Sequence, residues 1–538
     1  MTLEAPTSST SDRLPGAAAV AQWRSRSGPW LDVLAQRVVT ADPRSEIAVC
    51  APWTGEHLGS VPACTSEDVA LAVGQARLAQ QAWADRPVGD RRRVLLNYHR
   101  LTLDRQDTLL DLVQVESGKA RLSAFEEVLD VAVNSRYYGI HGPKFLRDRS
   151  HLGALPFFTA TREVRQPVGV VGIIAPWNYP LTMAISDALP ALMAGNAVIL
   201  KPATETPFSA IAAVALLEEA GLPPHVCQIV TGRGSELGTP ILDSVDSVCF
   251  TGSSETGRAI AQQAGDRLLP CSLELGGKNP MIVLADADLD RAVEGAARAC
   301  FGNAGQLCMS IERIYIQRPL YDRFVEALVA HTQQLTLGAA LDYGPAIGSL
   351  ISPAHQAKVH RLVEAAIAQG AQCLSGGRPR PDLGPCFYEP TLLSQVTPAM
   401  ALSDTEVFGP VVALYPFDDP AEAIRAANAS PYGLNASLWT RNLRLGRQLA
   451  SQIQCGSVNL NEGYIATWGS VAAPLGGHKA SGLGVRHGQT GLLRYTRSQT
   501  VATQRGVAIA PSFGLSPQQY AHLMTLALRL LRHLPGLR

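Results

Sequence analysis

The chain has 538 residues, 46% of them hydrophobic and 17% charged, a globular composition at a length too great for one hydrophobic core, so two or three domains are expected. Its 46 Lys and Arg balance 46 Asp and Glu, and a formal net charge of zero argues against a nucleic-acid binder that works by neutralising phosphates. No uncharged apolar run of about 18 residues or more occurs, so no membrane span is expected.

The charge is unevenly placed. No Asp or Glu follows Glu462, whereas Lys479, Arg486, Arg494, Arg497, Arg505, Arg529, Arg532 and Arg538 do, so residues 463–538 carry +8 and residues 1–462 carry −8. Such a split fits a basic segment packed on an acidic surface of its own or a neighbouring subunit, or an anionic or membrane partner. Ten cysteines show no CxxC pair and no dense framework, which points to free thiols in a reducing, cytoplasmic setting. The opening "MTLEAPTSSTSDRLPG" contains Glu4 and Asp12 and lacks an apolar segment, unlike a secretory or transit peptide.

Residues 1–37 begin with a Ser-, Pro- and Ala-rich stretch and are expected to form a mobile extension. "TSEDVALAVGQARLAQQAWAD" places a cap-like Thr65 or Ser66 before a 3.6-residue apolar rhythm and predicts a helix. Residues 90–112 and 123–140 predict further amphipathic helices. "VGVVGIIAPW" (168–177) is a continuous apolar run, as for a strand buried on both faces. A helix over 180–194 stopped by Gly195, a strand "AVIL" ending at Lys201-Pro202, the helix "FSAIAAVALLEEAGLP" and the strand "VCQIVTG" follow. "SELGTPILDSV", "SVCFTG", "SETGRAIAQQAGDRL" and "CSLEL" continue the alternation, which specifies a doubly wound α/β domain with a parallel sheet. A second α/β domain starts near "NPMIVLADADLDRAVEGAARACFG" and runs to about residue 460.

Ligands of open α/β sheets sit at the carboxyl ends of the strands. Four such ends here are "APWNYP", "KPATETP", "TGRGSELG" and "FTGSSETG". The last two set Gly and Ser between strand and helix, where free N–H groups and the helix dipole attract phosphate. Neither is a GxGxxG, because Gly232-Arg233-Gly234 leads to Gly238, one residue late. Taken singly, each loop is equally a conformational turn. Lys201, a cation at a strand end, can reach ribose hydroxyls or phosphate.

"LELGGKNP" sets Glu274 in an apolar strand, where a carboxylate titrates high and can serve as a general base; a salt-bridged or capping Glu is the alternative. "FGNAGQLCMS" surrounds Cys308 with small residues, and that cysteine reads as a buried filler, half of a disulfide, or a nucleophile.

The ordered set "PWNYP", "LELGGKNP", "GNAGQLC", "EVFGPV" and "PLGGHKASGLG" resembles the aldehyde dehydrogenase superfamily over roughly residues 38–503. "FTGSSETG", "LELGGKNPMIV", "GQLCMSIERIYI" and the "RHG" at 486–488 are most similar to its NADP-type succinate-semialdehyde dehydrogenases. The resemblance implies Cys308 as nucleophile, Asn178 with the Cys308 backbone N–H as oxyanion donors, and Glu274 as the base that hydrolyses a thioester. It implies a nicotinamide dinucleotide bound by Lys201 and Glu406 at the ribose hydroxyls, by Gly252 and Ser253 at the pyrophosphate, and by Trp177, Pro202, Ala203, Thr204, Gly234, Leu275 and Phe408. No metal is implied. Thr204 stands where NAD-preferring relatives commonly carry a glutamate, so NADP is expected with NAD possible as a second cofactor, although Glu205 lies one position away and is expected to point elsewhere.

The implied fold is two doubly wound α/β domains, cofactor-binding (38–148 and 166–273) and catalytic (274–474), plus a small β oligomerisation arm (149–165 and 475–505) joining a homodimer or homotetramer. Arginines that bind a substrate carboxylate in succinate-semialdehyde enzymes are replaced by Ser186 and Gly302, while Ser470 matches a serine of that site. The substrate expectation is therefore succinic semialdehyde, with Arg136 or Arg486 serving the carboxylate, or else a neutral aliphatic or aromatic aldehyde. A CoA-acylating enzyme is a further alternative, against which Glu274 speaks. The tail 506–538 extends past the resemblance. In it His522, Thr525, Arg529, Arg532 and His533 share one helical face opposite leucines and Met524, so residues 520–534 suit either a subunit groove or peripheral membrane contact.

Overall fold

A computed structural model describes residues 16–155 and 158–533. The apolar runs become the strands of two large sheets. In the first, six strands lie in the order Gly482–Leu483, Cys271–Glu274, Ser247–Thr251, Val170–Ile174, Ala197–Lys201 and Cys227–Ile229, all parallel except the short first one. Val170–Ile174 and Ala197–Lys201 are buried along their whole length, which is why they read as unbroken Val/Ile runs rather than alternating ones. The chain winds outward from Val170–Ile174 in both directions, so the crevice between its carboxyl end and that of Ser247–Thr251 is the topological switch point. "PWN" and "TGSS" sit on those two ends.

The second sheet has seven strands in the order Gln372–Ser375, Thr391–Ser394, Val411–Phe417, Ile311–Gln317, Asn279–Val283, Asn435–Trp439 and Ser457–Leu460, with only Gln372–Ser375 antiparallel. A third, antiparallel sheet joins Arg149–Leu152, Thr159–Pro167 and Thr496–Gln504. The two doubly wound sheets and this small sheet give the expected α/β architecture of the fold class.

Several element boundaries differ from expectation. Thr65 is the N-cap of the helix Ser66–Ala84, with its backbone N–H donating to Asp68 at 2.8 Å. The segment 90–112 is two helices, Val88–Asp104 and Gln106–Ser117, divided at Arg105, and 180–194 is also two, Pro180–Ile185 and Ala188–Met193. The extension expected to be mobile is a helix over Gly16–Ala35 that buries Val20, Trp23, Leu31 and Leu34 against the apolar helix Pro207–Glu219; residues 1–15 lie outside the described residues. Its apolar positions are interrupted by Ser, Arg and Pro29, which hid the helical period. The C-terminal helix Pro517–Leu531 exists and buries none of its residues. Among the described residues no helix is long and apolar enough to cross a membrane.

Candidate active site

A cavity of about 410 Å³ opens between the carboxyl edge of the six-stranded sheet and the amino edge of the seven-stranded one. Of the residues singled out in the sequence, Cys308, Glu274, Asn178, Trp177, Gly252, Ser253, Leu275, Glu406 and Phe408 all line it. Lys201, Pro202, Ala203, Thr204 and Gly234 do not. Thr204 lines a neighbouring groove of about 650 Å³, and Gly234 is the first residue of the helix Gly234–Ser244.

Cys308 follows a tight reversal. Asn303, Ala304 and Gly305 are consecutively left-handed, at φ +49°, +53° and +70°. A Cβ on Gly305 would stand 2.1 Å from the Gly409 carbonyl oxygen, so only glycine fits there. The Gln306 carbonyl accepts from Asn178 Nδ2 and Asn303 Nδ2, both at 3.0 Å, and the Gln306 side chain bonds Ser349 and Ile351. On the other side the Cys308 carbonyl accepts from Asn279 Nδ2 at 2.7 Å, and a Cβ on Gly277 would meet that carbonyl at 2.9 Å. The glycine pair after Glu274 thus serves contact: a Cβ on Gly276 would strike the Glu406 carboxylate at 2.3 Å.

No disulfide involves Cys308, and Cys300, deep in the helix Leu289–Phe301, is an inert buried thiol. Burial pushes the Cys308 thiol up to about 12, opposed by the nearby Arg486.

Asn178 is held from behind. Lys119 Nζ donates to the Asn178 carbonyl at 2.7 Å and to Glu127 at 2.5 Å, while Glu127 accepts the Leu181 and Thr182 N–H groups. One amide hydrogen of Asn178 is spent on Gln306, leaving the second for the cavity.

Glu274 ends the strand Cys271–Glu274. It is buried, its Oε1 has no hydrogen-bond partner among the described residues, and burial raises its carboxyl to about 7. Glu406 accepts the Gly277 N–H at 2.8 Å and is likewise raised to about 7 by burial. Phe408, at φ +57°, is fixed because Glu312, paired with Lys278 at 2.5 Å, accepts the Val407 and Phe408 N–H groups.

The chain's features fit a dinucleotide. Ser253 caps the helix Ser254–Asp266 by accepting from the Thr256 N–H, with Gly252 just before it at the cavity wall. Lys201 is buried and pulled down to about 8 by that burial, and among the described residues its ammonium has one hydrogen bond, to the Pro202 carbonyl at 2.9 Å. Two of its three donors are therefore open to an anionic or hydroxylic ligand. Glu205 does not point away as expected: it lines the same groove as Thr204, whose hydroxyl donates to it at 3.1 Å, and Arg233 lines that groove too.

The expected carboxylate partners are not at the cavity. Arg136 is exposed on the helix Arg121–Phe145, and Ser470 is exposed with its hydroxyl on the Ala466 carbonyl. Ser186 is bonded to Asp130, and Gly302 faces the Tyr464 hydroxyl. Arg486 lies behind the wall, bonded to Asp187, Thr251 and Met183. The sequence reading missed Glu126, Asp130, His355, Lys358, Tyr464 and Trp468, which also line the cavity. Only the carboxylates at 126 and 130, four apart on one helix, carried a local signal. Among the described residues no cluster of His, Cys, Asp and Glu suits a metal ion.

The chain belongs to the aldehyde dehydrogenase family, whose family model matches residues 38–501. It is therefore an aldehyde oxidoreductase with a nucleotide-binding α/β fold. A protein of Mycolicibacterium smegmatis, provisionally named a succinate-semialdehyde dehydrogenase [NADP(+)], is 47% identical over 495 residues, 92% of this chain and 96% of that one. The succinate-semialdehyde dehydrogenase [NADP(+)] GabD of Escherichia coli is 36% identical over 474 residues, 87% of this chain and 95% of that one. Among solved structures, an NADP-dependent enzyme of E. coli superposes with a TM-score of 0.82 at 36% identity, covering 86% of this chain and 95% of that one. The NAD+ complex of a Bacillus cereus aldehyde dehydrogenase superposes with a TM-score of 0.83 at 33% identity, covering 88% and 98%.

Proposed function

We propose that this enzyme oxidises an aldehyde to a carboxylic acid with Cys308 as nucleophile, Asn178 as oxyanion donor and Glu274 as hydrolytic base. The observation that carries the reading is the unpartnered Glu274 oxygen sharing one cavity with Cys308 and the Asn178 amide. The Cys308 sulfur adds to the carbonyl carbon, and the oxyanion that forms takes hydrogen bonds from the Asn178 amide and the Cys308 N–H. A nicotinamide dinucleotide, held by Lys201, Gly252, Ser253, Leu275, Glu406 and Phe408 against Trp177, supplies the hydride acceptor when bound. Pro202, Ala203 and Gly234 are assigned to the same site as backbone spacers. The carbonyl re-forms as a Cys308 thioester. Glu274 then accepts a proton from water attacking that thioester, which releases the acid and returns the sulfur. NADP+ is the preferred acceptor and NAD+ a weaker one, a reading supported by the relatives' names and by neutral Thr204 beside Arg233. On this reading the six-stranded sheet serves the cofactor and the seven-stranded sheet the catalytic residues.

Succinic semialdehyde is the substrate the relatives' names support. A second reading rests on the lining: the cavity presents Leu129, Val133, Met183, Ile465, Trp468 and Val471, and the helix that carries Leu129 and Val133 adds the carboxylates Glu126 and Asp130. A carboxylate without a cation is costly to bury, so that lining suits an uncharged aliphatic or aromatic aldehyde. Measuring kcat/KM for succinic semialdehyde, hexanal and benzaldehyde with each cofactor decides between the two. Acyl-CoA formed when CoA is added would overturn the hydrolytic reading, and full turnover by Cys308→Ala would overturn the nucleophile.

Two contacts complete the reading. The nine-residue edge strand Thr496–Gln504, exposed almost throughout, is a pairing surface for a second copy in a homodimer or homotetramer. The helix Pro517–Leu531 exposes Leu523, Leu526, Leu528 and Leu530, carries Arg529 as its one Lys, Arg, Asp or Glu, and is read as a contact for an anionic lipid surface; Leu534 of the expected stretch lies outside the described residues. Co-sedimentation with phosphatidylglycerol vesicles, lost on deleting residues 506–538, supports this. No co-sedimentation, or a smaller oligomer after the deletion, assigns the helix to a subunit groove instead.

A further inference from the structure

Cys308 needs a negative sulfur to attack, and the cavity opposes it. Burial disfavours the thiolate, and the Glu406 and Glu274 carboxylates repel it. Several cations stand close to this region, among them Lys278, which is taken up by Glu312. Lys119 is taken up by Glu127 and the Asn178 carbonyl. Lys358 is exposed at the rim, where solvent screens it. Arg486 is buried.

The Arg486 guanidinium donates to Thr251 Oγ1 and, at 3.4 Å, to Met183 Sδ, and both of those side chains line the cavity with Cys308. Behind the wall it donates to Asp187 at 2.6 Å, and Arg494 donates to the same carboxylate. Two guanidiniums on one carboxylate leave an excess of one positive charge in a buried place, where it is poorly screened. The other groups facing Arg486 do not discharge it. Cys249 and the Tyr495 hydroxyl both donate to Asp187, and the adjacent His487, pulled down to about 4 by burial, is neutral. Asp130 and Glu274 are carboxylates that burial raises, Asp130 being engaged by Thr182 and Ser186, and Glu274 offsets the excess only as it ionises at about pH 7.

We propose that Arg486 is a positioning residue for the nucleophile: the net positive Asp187–Arg486–Arg494 cluster, presented through Thr251 and Met183, is the charge that lets Cys308 ionise. The inference rests on the reading of Cys308 as the nucleophile. Arg486 is accordingly the strongest influence favouring the charged form of both Cys308 and Glu274.

The test is the pH dependence of Cys308 alkylation by iodoacetamide in the full chain, without cofactor or aldehyde, read on the Cys308 peptide by mass spectrometry. Arg486→Gln should move the midpoint up by about one unit, a roughly tenfold slower reaction near neutral pH. Asp187→Asn, which leaves the guanidiniums uncompensated, should move it down, and Arg486→Lys should restore it. A folded Arg486→Gln protein with the wild-type midpoint overturns the proposal, as do Gln and Asn variants that shift it in the same direction. If Arg486→Gln does not fold, Asp187→Asn and Arg486→Lys decide alone: a lowered midpoint in the first with a retained one in the second supports the proposal, and any other pair overturns it. Absence of aldehyde turnover in the wild type would count against the function and leave these midpoints where they are.

Discussion

The Asn178 side-chain amide donates to the carbonyl of Gln306, two residues before Cys308, at 3.0 Å. That bond ties the turn leaving the six-stranded sheet to the loop entering the seven-stranded one and fixes the amide at the cavity wall. If Asn178 is the oxyanion donor proposed above, Asn178→Ala should lower kcat by about 10²–10³. Titration calorimetry with NADP+ should show little change in cofactor affinity.

Gly305→Ala tests the reversal before Cys308. The substitution places a Cβ against the Gly409 carbonyl at a residue with φ +70°. A loss of about 1–3 kcal/mol in urea unfolding is expected from the backbone strain, together with a larger fall in kcat than in cofactor affinity. Unchanged stability would mean that the loop relaxes freely.

Glu274 sets a pH dependence. Its carboxyl is raised to about 7 by burial, so it is protonated and unable to accept a proton below that pH. The hydrolytic step should therefore rise through about pH 7 and level off above it. Glu274→Gln should abolish that limb and leave a single burst of reduced cofactor with negligible turnover, as rapid-mixing absorbance at 340 nm will read. Steady turnover in the variant would remove Glu274 from hydrolysis.

Glu205 and Arg233 share the groove with Thr204, one repelling and one attracting a phosphate. Glu205→Gln should raise kcat/KM for NADP+ severalfold with little effect for NAD+, whereas Arg233→Gln should do the reverse. Parallel changes with both cofactors would place the 2′-phosphate elsewhere.

The sheet strands were legible because burial on both faces forces unbroken runs such as Val170–Ile174, and the motifs "PWN", "LELGG" and "GQLC" mark chain positions that the fold brings into one cavity. The Asp187–Arg486–Arg494 cluster was not, since Asp187 lies about 300 positions from both arginines and the "RHG" that holds Arg486 gives no sign of that partner. His355 and Lys358 fall on a helix whose surface residues look like any solvated face. Glu205 was misplaced because the side-chain direction at a turn depends on backbone angles that residue spacing does not carry.

Trp177 belongs to the six-stranded sheet's edge, yet its ring meets His355 and Phe408, both attached to the other sheet, edge-on at 5.5 Å. Edge-on aromatic pairs contribute about 0.5–1.5 kcal/mol each, so parting these two rings from the indole costs a few kcal/mol at most. They add to the Asn178–Gln306 hydrogen bond in joining the two sheets across the cavity. Shrinking the Trp177 ring is then expected to loosen the cavity wall where the two sheets meet, and to change turnover and dinucleotide affinity together.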